Sequence, residues 1–125
     1  MHGCHDFSPY VGVEAMVQFW ETQEAERIFS LRRALVDELN AGVSRRLGWR
    51  RLESRNPACR GPLQIYRLPE RLQPEGKTLV ERLAREFRLQ TTVVCLEGSW
   101  HLVLSPHVYN DREELDLAVD ALTSL

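Results

Sequence analysis

The chain has almost no lysine. Lys77 stands alone against 15 arginines, so chemistry that needs a lysine amine in a desolvated pocket, as a Schiff base does, has a single candidate. Cysteine is scarce as well. Cys4, Cys59 and Cys95 are an odd number at wide spacing with no CxxC pair, which argues against a zinc ribbon and against a disulfide framework. No apolar run approaches the ~18 residues of a membrane span, and the opening residues show no basic-then-apolar leader. The net charge of −2 gives no electrostatic reason to expect nucleic acid or an anionic membrane as partner. These absences lead to the expectation of a soluble, cytoplasmic domain in a reducing compartment.

What is present reads as one globular unit. With 125 residues, 43% of them hydrophobic and 27% charged, the whole chain 1–125 is the size of a single domain. Such a domain can bury roughly two thirds of its unfolded surface. "VEAMVQFW", Val13 to Trp20, predicts a short buried helix. Ile28, Leu31, Leu35, Leu39, Val43 and Leu47 recur at three- and four-residue steps, predicting one face of a long helix that stops at Gly48. "RRLESRNPACRG" is a polar loop, and "PLQIYRLP" a strand bracketed by prolines. "PEGKTLVERLAREF" places Leu79, Val80, Leu83 and Phe87 on the inner side of a helix. "TTVVCL" and "WHLVLS" form an antiparallel hairpin around Gly98. Asn110 can cap a last helix whose apolar stripe is Leu115, Ala118, Val119 and Leu122. The expected fold is α+β, a small, mostly antiparallel three-stranded sheet with helices on one face. The opposite face then needs polar side chains or a partner.

The N-terminus gathers chemistry into six residues: His2, Gly3, Cys4, His5 and Asp6 all fall in "MHGCHD". A metal site is one reading, but these steps are tighter than usual ligand spacing, and a fourth ligand must come from Asp6, Cys59, His101 or His107. A Cys4 nucleophile with His5 as base is weaker, because neighbouring side chains in an extended segment point to opposite sides. Of the other reactive types, Cys95 lies in an apolar strand and reads as a small core residue. Cys59, flanked by arginine, reads as exposed. The pairs Arg32/Arg33, Arg45/Arg46 and Arg50/Arg51 read as solvated surface rather than an anion patch, given the interspersed acids. Trp20, Trp49 and Trp100 read as core or interface anchors.

"LVLSPHVYNDREELDLAVDAL" resembles the C-terminal signature of class V aminotransferases, the pyridoxal-phosphate group that includes cysteine desulfurases and isopenicillin N epimerase-like proteins. The opening "GCHDFSPYVGVEAMVQFW" is similar to the family's Gly-Thr-x-Asp stretch and the helix after it. The element order between them is that of the small domain of the pyridoxal-phosphate fold type I. The resemblance implies a C-terminal domain that closes a substrate cleft, with Gly3 and Cys4 meeting the cofactor phosphate across a dimer interface. It further implies a large cofactor-binding domain or homodimer partner, and an amino-acid-type substrate. It also marks departures. Cys4 stands where the family has a threonine, so only its backbone amide keeps good donor strength. Val103 stands where the family has the arginine that grips a substrate carboxylate, and valine makes no charge-assisted pair. The resemblance places no cofactor lysine at Lys77. The implied chain is therefore not catalytic alone, and carries no catalytic or metal-binding residues of its own. A non-enzymatic dimerising module derived from the same fold is the alternative reading.

Overall fold

A computed structural model describes residues 8–56 and 60–125. By internal packing the chain divides into two units, residues 1–30 and 31–125.

In the first unit, α1 (Ser8–Thr22) is followed by the opening of α2 (Ala25–Leu47). Pro9 falls in the first turn of α1, where its missing N–H would be unpaired anyway. The expected helix over Val13–Trp20 is there, but its burial is not. Every residue of α1 is exposed, including Met16, Phe19 and Trp20. Phe19 and Trp20 meet edge to face at 5.9 Å.

The second unit is an α+β layer. After α2 come β1 (Arg51–Leu52), β2 (Gln64–Arg67), a short 3-10 helix (Glu70–Glu75), α3 (Leu79–Phe87), β3 (Thr92–Leu96), β4 (Ser99–Leu104) and α4 (Arg112–Thr123). The sheet order is β1-β2-β4-β3, antiparallel throughout. β1 adds a fourth strand to the three expected, inside a segment read as loop. It is only two residues long and pairs Arg51 with Tyr66 and Leu52 with Ile65.

One face of the sheet is sealed. Tyr66, Leu102 and Leu104 join Leu39 and Val43 of α2, Leu79 and Leu83 of α3, and Leu115, Val119 and Leu122 of α4 in a single buried cluster. Most of the α2 stripe that the spacing suggested faces the core: Leu39 and Val43 are buried and Leu35 and Leu47 pack against the cluster, while Leu31 is exposed and Val36 is buried in addition. Gly48, with φ of +63°, ends α2 and returns its N–H to the carbonyls of Val43 and Ser44. That is the left-handed stop glycine adopts most cheaply. The β3–β4 turn has positive φ at both Glu97 and Gly98, the type I′ geometry that matches strand twist.

On the other face, register aligns Leu52, Ile65, Val103 and Thr92 in one row, and Arg67, His101 and Val94 in the next. Ile65, Val94 and Val103 are half-buried and Leu52 is exposed. Cys95 is exposed, against its expected core role, because β3 is the sheet edge and Cys95 sits near the hairpin tip.

Gln73 clasps the two central strands. Its Nε2 donates to the carbonyls of Leu68 at 2.7 Å and Trp100 at 3.2 Å, and its Oε1 accepts from Trp100 N–H at 2.7 Å. The clasp seats Trp100 over Gly76, where an added Cβ would lie 2.2 Å from the indole. Gly76→Ala is therefore expected to destabilise the fold by about 1–3 kcal/mol through overpacking, read as a lowered midpoint in urea denaturation. An unchanged midpoint would show that the indole swings aside freely.

Candidate functional site

The segment from Leu102 to Leu122 begins on the last strand, β4. Val103 lies on the sheet face away from the core, opposite Ile65 on one side and Thr92 on the other. Its carbonyl accepts a hydrogen bond from the Thr91 hydroxyl at 2.6 Å. After β4 the chain turns through Ser105–Asn110, and Asn110 organises that turn. Asn110 N–H donates to the His107 carbonyl at 2.9 Å, and Asn110 Oδ1 accepts from His107 N–H at 2.8 Å. Asn110 Nδ2 also reaches Glu114 Oε2 at 3.0 Å.

Asn110 is thus not the cap of α4. The cap is Asp111, whose side chain accepts from Glu114 N–H at 2.9 Å while the Glu114 carboxylate accepts from Asp111 N–H at 3.2 Å. This is a capping box, and it leaves Asn110 to hold the preceding loop.

Two histidines flank the segment. His101 is 8% exposed despite its place on the outer face, with Nδ1 3.0 Å from the Ser99 carbonyl. His107 stacks on Tyr109 at 4.6 Å and 23°, and its Nδ1 is buried without a hydrogen-bond partner. Tyr109 is 80% exposed. Among the described residues no three His, Cys, Asp or Glu side chains are grouped to hold a metal ion. Gly3 and Cys4, with His2, His5, Asp6 and Cys59, lie outside the described residues.

Lys77 is exposed between the 3-10 helix and α3. An ammonium in water lacks the desolvation that makes a Schiff-base lysine nucleophilic.

A polar network that the sequence did not reveal lies at the β1–β2 end of the sheet. Tyr66 donates its hydroxyl to Asn40 Oδ1 from inside the core. Asn40 Nδ2 at 3.1 Å and Arg51 Nη1 at 3.1 Å both donate to Gln64 Oε1. Gln64 Nε2 donates to the Gly61 carbonyl at 2.9 Å. Arg51 also pairs with Glu53, which Arg60 meets from the other side at 3.3 Å. The hydrogen bond and charge of Arg51 hold the Glu53 carboxyl below its usual range. No single residue type flags this arrangement, because its members span α2, β1 and β2. It fixes a strand end rather than presenting a reactive group.

The chain matches no protein-family model and no curated protein.

Burial pushes the Tyr66 hydroxyl up to about 12 from about 10, with Arg51 opposing in part. The sign follows from proton binding. Below pH 10 both folded and unfolded chains keep this proton; between 10 and 12 the unfolded chain gives it up first. Stability is then expected to fall by about 1.4 kcal/mol per pH unit over that window. Tyr66→Phe should cost about 1–3 kcal/mol at neutral pH by leaving Asn40 Oδ1 without its donor, yet decline less steeply above pH 10. Urea denaturation across pH 8 to 12 measures both. For the cap, Asp111→Ala should lose about 0.5–2 kcal/mol, as read from thermal midpoints.

Proposed function

We propose that this chain serves as the small, cleft-closing domain of a pyridoxal-phosphate-dependent protein of the class V aminotransferase type. The observation that carries the reading is α1. Tyr10, Val11, Val13, Met16, Val17, Phe19 and Trp20 are all exposed on one 15-residue helix, a concentration of large apolar side chains that isolated surface helices avoid. Such a helix belongs against a larger body, and the large domain of the family is the body this reading supplies. Support also comes from the strand–helix–strand–strand–helix order of the second unit and from the loop and capped helix that the Ser105–Glu114 stretch builds.

On this reading the cofactor, its lysine and most substrate contacts reside on the large domain. Gly3 and Cys4 offer backbone amides to the cofactor phosphate across a dimer. The substrate is of amino-acid type, but Val103 cannot clamp its carboxylate, so any clamp lies elsewhere or the acyl group differs. A cytoplasmic location belongs to the same reading. Among the described residues, no helix is long and apolar enough to cross a membrane.

The second reading, a dimerising module without enzymatic activity, draws on the same helix, since two copies of α1 can cover each other. Light scattering separates the two. The cleft-domain reading expects a polydisperse chain that binds a hydrophobic dye, with dye binding cut severalfold in the Met16→Glu/Phe19→Glu variant. A stable, monodisperse dimer that ignores the dye favours the module. Absorbance titration with pyridoxal phosphate should give no internal aldimine band from this chain alone, and such a band would overturn the placement of the cofactor lysine elsewhere.

A further inference from the structure

Three arginines scattered along the sequence, Arg50, Arg67 and Arg71, line one cleft of the second unit. The cleft encloses about 280 Å3 and is completed by Trp49, Pro69 and the turn at Gly48. That is near the lower end of the roughly 300–1,000 Å3 typical of small-ligand sites. No aspartate or glutamate is among its lining residues.

The first two arginines are opposite neighbours in the antiparallel pairing, and Arg50 is exposed. Arg67 N–H donates to the Arg50 carbonyl at 2.9 Å, one step beyond the Arg51–Tyr66 pair. Arg50 and Arg67 therefore stand directly across from each other on adjacent chains, where like charges destabilise. One of them is compensated: Arg67 pairs with Glu70 at 2.7 Å, through a Glu70 side chain that is 78% exposed. Among the described residues neither Arg50 nor Arg71 has an ion pair or side-chain hydrogen bond. Two uncompensated guanidinium groups thus share a small cleft with a third. Each is a planar fork suited to two oxygens of one tetrahedral anion.

We infer that this cleft binds a small phosphate-type dianion, held by Arg50, Arg67 and Arg71, with Trp49 beside it. A dianion matches the two unpaired charges. The indole offers an apolar wall to whatever group the phosphate carries, so a phosphate ester and free phosphate are the two sources of the same chemistry. The inference is independent of the cofactor reading above, which places its phosphate contact at Gly3 and Cys4.

Calorimetric titration of the full chain with phenyl phosphate and with inorganic phosphate, at constant ionic strength balanced by chloride, tests it. The expected result is saturable one-to-one binding, accompanied by a change in tryptophan fluorescence. The Arg50→Gln/Arg71→Gln variant should bind at least tenfold more weakly with an unchanged thermal midpoint. Trp49→Phe should keep the heat and lose most of the fluorescence response. Tighter phenyl phosphate assigns the site to esters, and equal affinities assign it to the free ion. Heats that never saturate, binding that survives the double variant or the single Arg71→Gln variant undiminished, or a fluorescence response retained in Trp49→Phe overturns the inference. In that case the arginines serve only the last carbonyls of α2.

Discussion

The pairing of β2 with β4 sets Tyr66 beside Leu102 and Gln64 beside Leu104, and the helices of the second unit bury their apolar stripes in the same cluster as that patch. Because side chains alternate across a strand, the pairing also fixes what cannot be buried there. Ile65, Val103 and His101 are sent to the other face by the same register. A slip of one residue would exchange the two sets, placing Arg67 against the core and Tyr66 in the open. Gln73 guards against that slip by bonding both strands at one end, and at the other the Asn40–Gln64–Arg51 network ties β2 to α2 and β1.

Much of this was legible in the residues, wherever the cause was local. Gly48 ends a helix because few other residues take its backbone angle cheaply. Gly98 makes a hairpin because a β-branched strand precedes it, an apolar one follows, and only two residues separate them. The last helix was legible in type and stripe, but its cap was not. Asn110 and Asp111 each have a glutamate three residues on, so the capping pattern fits both registers. What decides between them is that Asn110 is already engaged with His107, a fact of the loop rather than of the helix. What escaped was tertiary. The burial expected for α1 needed a second apolar surface, Cys95 needed knowledge of which strand is the edge, and β1 is too short for any alternation to show.

The candidate sites divide along the same line. The residues singled out by type, Gly3 and Cys4 above all, lie outside the described part of the chain, and the class V reading rests on pattern plus the bare apolar helix. The arginine cleft ran the other way. In the sequence Arg50 looked like half of a solvated pair with Arg51; in the fold Arg50 is exposed and lines the cleft with Arg67 and Arg71, while Arg51 enters the Gln64–Glu53 network. Adjacent residues on a strand share a number line and nothing else.

The sheet order also bears on how the second unit assembles. β3 and β4 are joined by two residues, so their hairpin closes at little entropic cost, whereas β2 can reach β4 only after the 3-10 helix and α3 have been looped out between them. Closing that larger ring is the expensive step in chain entropy. Until it is taken, one flank of β4 stays open to any passing strand. Capture of β2 is thus the step that closes the last open flank of β4.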